Sequence, residues 1–522
     1  VIRALFSTDH KVVALRLTVI AGIYFLGAGL LALLIRTELA EPGMQVVSRT
    51  GYAELFTMHG STMIFLVMIP VALAACVYLV PLQLGAHALR LAQLAHTGSW
   101  LVAIGGLVMW SSWLTRAGAG RAGWYAYDPL SGSQTTPGPG MDLWIVGVIL
   151  ATIGSMALAA AVLATVLRGR PDQMTLLRLP PFTWTALATM LLVLFSFPSL
   201  VVGFSLLLAD RHGAGILDPI TYQHLFWFYG HPAVYVMFFP FLGMVAEAAS
   251  VMAGVRFFGY RAFVPALLAF TAISMTVWAH HMFTTGSVPT KLFALTSTAL
   301  VVPAGIEYFD IIGTFWRGTV RLAMPTLFVI GFLVQFLIGG ITGVMVASPV
   351  LDRQFQDSYV VVAHFHYTLF GGSMFGLFAG LYLWWPKATG RFLSERLGRL
   401  HFALTMIGTA LTFLPQFALG ADGMARRLAD YPDAAGWQTL NVLSTVGALF
   451  IATGTLVFIV AAARSLRAPR TAAADCWGSG MSLEWATSSP PPPENFDAPL
   501  PEVRSYAPML DLRRRPLPEA AR

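Results

Sequence analysis

An all-α integral membrane protein is what this sequence predicts: a bundle of about twelve transmembrane helices with both termini cytoplasmic. Composition is the first reason. Of 522 residues, 57% are hydrophobic and 11% charged, with a mean hydropathy of +0.70. A soluble domain carries about 25% charged residues, so this chain has too few to coat a water-facing surface. The second reason is a series of apolar runs, near 12–34, 57–81, 98–114, 143–167, 183–209, 223–253, 262–284, 293–315, 323–347, 359–385, 401–419 and 439–463. Each can cross a hydrocarbon core of about 30 Å as a helix. The third is the way charge alternates between successive loops.

Taken in order, the first run lacks a cleavage-like ending and reads as a retained span. If the N-terminus is cytoplasmic, the loops on that side collect Arg90, then Arg168, Arg170 and Arg178, then Arg256 and Arg261, Arg317 and Arg321, and finally Lys387, Arg391, Arg396 and Arg399. Arg464, Arg467 and Arg470 follow the last run. The alternate loops carry Glu38, Glu41, Asp128, Asp142, Asp210, Asp218, Asp352 and Asp357. Lys and Arg concentrate on the cytoplasmic face, and an even number of spans puts both ends there. Residues 1–464 therefore read as one membrane domain, and 465–522, with "SSPPPPENF", as an extended, surface-bound Pro/Arg-rich cytoplasmic tail. The net charge of +7 resides in these loops and implies no nucleic-acid partner. Cys76 and Cys476 form neither a CxxC motif nor a disulfide framework, so thiolate-held metals are not encoded.

Six histidines stand inside the apolar runs: His59 in "LFTMHGSTM", His231 in "YGHPAVYV", His280 and His281 in "VWAHHMF", and His364 and His366 in "VVVAHFHY". Intramembrane ionisable groups are costly and mark function by default. Imidazole suits iron, copper and zinc, whereas calcium or magnesium cages would need carboxylates that these helices lack. His364 and His366 lie two residues apart, about 200° around a helix, so they serve separate metals on opposite faces. His231 and Tyr235 are four apart and share a face, which brings a phenol within reach of a ligand imidazole. His280 and His281 diverge by about 100° on a helix and need local adjustment to share one ion.

The stretches "FTMHG", "WFYGHPAVY", "VWAHHMF", "VVVAHFHY", "GMARR…DYPD" and "LEW…SPPPP" resemble, in family order and over nearly the whole chain, subunit I of the heme–copper oxidases of the cytochrome c oxidase type. The resemblance implies two hemes, of heme A type, and one copper ion. His59 and His366 would hold the low-spin heme, His364 the high-spin heme, and His231, His280 and His281 the copper. Tyr235 would be cross-linked to a copper-ligand histidine and would supply an electron and a proton for reducing dioxygen to water. Arg426 and Arg427 would bind heme propionates, Arg36 would face a heme formyl group, and Trp124 would lie near the low-spin heme. Asp357 matches a magnesium ligand, although Gln356 replaces the neighbouring ligand histidine. The implied partners are a subunit II carrying a dinuclear copper site, subunit III and small subunits, with cytochrome c as donor. The implied location is a bacterial inner membrane.

The departures from the family pattern concern protons. Ala88 in "LQLGAHALRLAQLA" replaces an aspartate, Ala233 in "HPAVY" replaces a glutamate, and Glu307 in "PAGIE" stands where a lysine is usual. Tyr229, Glu307 and His87 are the candidate proton-path groups. Rival readings within the superfamily are a quinol oxidase and a nitric oxide reductase. Tyr235 and the absence of an acid at 233 favour the oxygen-reducing enzyme.

Overall fold

The computed structural model describes residues 5–514, so the last eight residues of the expected tail lie outside the described residues. Among the described residues no strand forms beyond one isolated bridge between Ser358 and Ala425. Ten helices among the described residues are long and apolar enough to cross a membrane. They are α1 (His10–Glu38), α2 (Arg49–Leu84), α4 (Pro139–Arg168), α5 (Pro181–Arg211), α6 (Pro219–Ala253), α8 (Thr290–Arg317), α9 (Met324–Val346), α10 (Tyr359–Thr389), α11 (Glu395–Ala421) and α12 (Gln438–Arg467). The expected runs at 98–114 and 262–284 become α3 (Ala92–Ser111) and the shorter α7 (Tyr260–Ser274).

Proline and glycine shape these helices locally. α6 breaks at Met237 and Phe238, just ahead of Pro240, which has no N–H to continue the ladder. α8 loosens at Leu300, three residues before Pro303, for the same reason. Two helices contain wide π segments, Thr62–Met68 in α2 ahead of Pro70 and Tyr367–Met374 in α10 around Gly371 and Gly372. Such segments frequently mark functional sites, and here each follows a candidate ligand, His59 or His366. Glycines let neighbours approach closely. A Cβ on Gly98 of α3 would lie 2.7 Å from the Gly154 carbonyl of α4, and one on Gly408 of α11 would lie 2.9 Å from the Gly447 carbonyl of α12. Small residues at helix contacts do the work that hydrophobic burial cannot do between membrane helices.

The first helix and the tail meet at one end of the bundle. His10 Nε2 lies 2.9 Å from Asn495 Oδ1, Lys11 Nζ donates to the Pro493 carbonyl, and Asn495 Nδ2 donates to Ala86 at the end of α2. The tail is largely extended, as expected, but it does not merely lie on the surface: Leu483, Glu484, Trp485 and Asn495 are buried against the helices.

Candidate metal centre

One large cavity, about 1350 Å³, runs between α1, α2, α6 and α8–α12, and all six intramembrane histidines line it. Ordinary ligand pockets span about 300–1,000 Å³, so this space takes a larger guest or several. Its walls are mostly apolar, and they are thinned by glycine. A Cβ on Gly29, Gly305 or Gly340 would meet no atom within 4 Å.

His231, His280 and His281 bring their ring nitrogens within 4.8 Å of one another, forming the only cluster of three or more His, Cys, Asp or Glu ligands among the described residues. Neither nitrogen of His231 has a partner in the protein, nor does Nε2 of His281. A buried imidazole without a partner is costly, and three that converge fit a nitrogen-ligated ion. The Nδ1 of His280 hydrogen-bonds Ser297 Oγ at 2.8 Å, which turns Nε2 toward the cluster. His281 stacks on Trp227 with centroids 3.9 Å apart. The expectation that His280 and His281 sit on a membrane-spanning α-helix is corrected here. α7 stops at Ser274, and the pair occupies a 3₁₀ turn, Trp278–Met282. That tighter turn, reached through β-branched Thr276 and Val277, supplies the adjustment the pair needs.

The opening of the ligand faces on α10 agrees with the spacing. His364 Nδ1 donates to the Gly339 carbonyl of α9 at 3.1 Å and touches Thr342 Oγ1 at the same distance. His366 turns the other way, stacking on Phe413 of α11 with centroids 4.4 Å apart, and its Nδ1 donates to the Val362 carbonyl. His59 Nδ1 donates to Ala28 of α1. In each of the three, a carbonyl fixes Nδ1 as the protonated nitrogen and leaves Nε2 for a metal. Tyr235 meets His231 edge to face, with centroids 4.7 Å apart.

At the end of the cavity away from the tail, Arg426 pairs with Asp357 and reaches the Tyr125 hydroxyl. Asp430, the residue in "LADYPD" nearest the pair in sequence, instead accepts from the Gly43 amide. Arg427 has a left-handed backbone (φ +68°), and its guanidinium lies 4.2 Å from the Tyr125 ring centroid. Arg36 donates through Nη2 to Asn441, while its buried Nε and Nη1 have no protein partner. Arg36, Arg426, Arg427 and Trp124 all line the cavity. Unpartnered guanidinium donors at the rim suit acidic or carbonyl groups on a guest.

The proton-path candidates are scattered. Tyr229 is fully buried with its hydroxyl unpartnered, and it packs on Phe197 rather than lining the cavity. Both carboxyl oxygens of Glu307 are likewise unpartnered, next in the chain to the cavity-lining Tyr308 and about one turn from Ala304. His87 is exposed beneath the tail and contacts the Glu494 carbonyl. Asp357 commits its carboxylate to Arg426 and belongs to no three-ligand cluster, so the residues of this chain do not fit a self-contained magnesium site.

Sequence reasoning missed Ser297, Trp227 and Asp352. Trp227 precedes His231 by four residues, and that helical spacing could have revealed it. Asp352 is buried in the cavity wall with Oδ2 unpartnered, and burial pushes its carboxyl up from 3.8 to about 7, aided by the Asp357 charge and opposed by Arg426. No sequence spacing pointed to it.

Residues 12–450 match the family described as Cytochrome C and Quinol oxidase polypeptide I. The chain belongs to that family. The oxidase family is also visible in individual relatives. A probable cytochrome c oxidase subunit 1-beta of Nocardia farcinica is 45% identical over 97% of this chain and 87% of its own length. A cytochrome c oxidase subunit 1 of Corynebacterium efficiens is 44% identical over 97% and 88%. A heme-copper terminal oxidase dimer solved by cryo-electron microscopy shares the fold, with a TM-score of 0.76 at 19% identity over 88% of this chain and 84% of that one. As an oxidase of this family, the chain is a membrane oxidoreductase of respiratory electron transport whose chemistry uses heme and copper.

Proposed function

We propose that this oxidase subunit reduces dioxygen to water with electrons that originate in cytochrome c and arrive through a copper-bearing subunit II, with subunit III and small subunits completing the complex. The convergence of His231, His280 and His281 beside Tyr235, in the cavity that also receives His364, carries this reading. The family takes quinol as well as cytochrome c. The relatives' names favour cytochrome c.

The residues fit the expected groups. His59 and His366 present Nε2 for a low-spin heme and His364 for a high-spin heme, both of heme A type, while the three-histidine cluster fits copper. When bound, these groups supply electron transfer and the reduction of dioxygen. α10 holds His364 and His366 on opposite sides of its first turns, Tyr359–His366, which fixes their relative position. Arg426 and Arg427 would hold acidic substituents at the rim, and Arg36 would offer its free donors to a carbonyl substituent. Tyr235 would supply a phenolic proton and an electron, and its edge-to-face contact with His231 supports the reading that the two are neighbours at the same centre. The apolar walls exclude water from this point.

Twelve spans with cytoplasmic termini fit the contacts among His10, Lys11 and Asn495, which hold the first helix and the tail at one end, and the arginine-rich loops orient that end inward. The bacterial inner membrane is the corresponding location.

An oxygen pulse to the purified complex in sealed vesicles, with reduced cytochrome c outside, tests the reading. Oxygen uptake with consumption of internal protons is the expected result, and external acidification would add pumping through unconventional groups. No oxygen uptake with cytochrome c, but rapid uptake with a quinol, would reassign the donor.

A further inference from the structure

Far from the metal centre, two glutamates are buried where the tail meets the bundle. Glu247 lies on α6, sixteen residues beyond His231 and so about 24 Å along the helix direction. Glu484 lies on the tail, and both are buried. A single nitrogen joins them: Gln83 Nε2 of α2 stands 3.5 Å from Glu247 Oε1 and 3.2 Å from Glu484 Oε1. Gln83 Oε1 accepts from Thr183 Oγ1 of α5 at 2.8 Å. Glu247 Oε1 also accepts from the Phe182 amide at the start of α5, and Glu484 Oε1 from Trp384 Nε1 of α10. Glu484 Oε2 has no partner.

Two carboxylates this close, both out of water, cannot both be charged without large cost. The α5 amide favours charge on Glu247, because a helix N-terminus stabilises an anion. The partnerless Glu484 oxygen is the place for a proton. Lys387 of α10 faces Glu484 but directs its ammonium to the Thr487 carbonyl at 2.6 Å, and Tyr260 and Tyr506 are the other titratable groups facing Glu247. No ion pair within 4 Å neutralises either acid among the described residues.

From this pair α5 leads toward the catalytic end. Thr185, Thr189 and Ser196 are buried on one face of it. Just beyond, Phe197 packs on Tyr229 with centroids 4.8 Å apart, two residues before His231. Each hydroxyl donates to a carbonyl of its own helix and keeps its lone pairs free to accept, and the steps of about 6 and 10 Å between them along the axis would each need one or two waters for proton transfer. On the tail side, a cleft of about 20 Å³ with room for one water opens between Ala486, Thr487 and Phe496–Leu500, its nearest lining residue in the chain two positions beyond Glu484.

We propose that Glu247 and Glu484 share one exchangeable proton and form the uptake site that delivers protons along the hydroxyl face of α5 to Tyr229. Resting on the oxidase reading, it names the source of protons for that reaction. The step balances simply: a carboxyl O–H gives its proton to the first water at Thr185, and the carboxylate regains one from the cleft.

The test compares Glu247→Gln and Glu484→Gln in the whole complex, since the amide keeps the shape and hydrogen bonds but cannot hold the shared proton. Infrared difference spectra between the unaltered complex and each variant should show the loss of one buried protonated-carboxyl band, the band of buried Glu307 being common to all three. Oxygen turnover should fall by about a hundredfold, the low end for a positioned proton-transfer group, with an altered pH profile and an unchanged low-spin heme spectrum. Wild-type turnover and pH profile in Glu247→Gln would overturn the proposal. Should Glu484→Gln loosen the tail, read by protease cleavage, Glu247→Gln decides alone, because its residue belongs to the bundle. If the unaltered complex consumes no oxygen, the oxidase reading fails, and the delivery role fails with it; a surviving carboxyl band would then mark a structural proton only.

Discussion

His231 and Tyr235 meet edge to face with ring centroids 4.7 Å apart, one helical turn above one another on α6. The contact joins a histidine with no protein partner on either nitrogen to a half-buried phenol that lines the same cavity. Tyr235 also packs on Phe239 and Phe270, with centroids 5.8 and 4.9 Å apart, which holds the phenol in place beside the histidine.

Replacing Tyr235 with Phe retains the ring and removes only the hydroxyl. Oxygen reduction should fall by at least about a hundredfold, because the variant loses a proton donor at the reacting site. The low-spin heme spectrum should persist, because His59 and His366 are untouched. Turnover close to that of the parent would rule out the tyrosine's role.

His366→Ala and His364→Ala should have separable effects. His366 stacks on Phe413 toward α11, and His364 bonds to Gly339 of α9. Heme extraction and optical spectra should therefore show loss of the low-spin signal in the first and of the high-spin signal in the second. Loss of both signals together in either variant, with the bundle still folded by circular dichroism, would contradict the assignment of opposite faces.

Gly123 sits at φ +76°, and a Cβ there would run into Arg427 Nη2. Gly123→Ala should displace that guanidinium and strain the loop, costing about 1–3 kcal/mol as overpacking does. Thermal unfolding measures the cost, and a weakened heme retention in the same variant would show that Arg427 grips the guest.

Asp352 makes the outer rim sensitive to pH. Its carboxyl is raised by burial to about 7, so the folded protein binds that proton more tightly than the unfolded chain does. The contribution is fully present below the ordinary 3.8 and is lost as pH rises through about 7. As pH rises from about 4 to about 7, the unaltered protein should lose thermal stability relative to Asp352→Asn, with no further loss above that. Parallel pH curves for the two would show that the carboxyl does not titrate there.

Glu307 has two buried oxygens and no protein partner for either, with Asp310 one turn away. Glu307→Ala should slow electron arrival at the oxygen-reducing site, measured by stopped-flow heme reduction, if the acid relays protons. An unchanged rate would place Glu307 off the path, as an acid held neutral by its surroundings.

Much of this was legible in the chain itself. The apolar runs told of membrane helices because a span must satisfy its backbone internally, and that demand leaves a mark about twenty residues long. The i, i+2 spacing of His364 and His366 and the i, i+4 spacing of His231 and Tyr235 reported opposite and shared faces, since both lie on regular helix. The histidine motifs carried the family resemblance for the same local reason.

Tertiary structure decided what local periodicity could not. Whether His280 and His281 converge depends on a 3₁₀ turn whose partners, Trp227 and Ser297, lie on α6 and α8. Asp352 enters the cavity wall, and Asp357 is taken by Arg426, through contacts between segments about seventy residues apart. The pairing of Glu247 with Glu484 through Gln83 joins three stretches separated by more than 160 residues each. A sequence records which residues a helix face carries; only packing brings distant faces together, and with them the charges whose burial sets their chemistry.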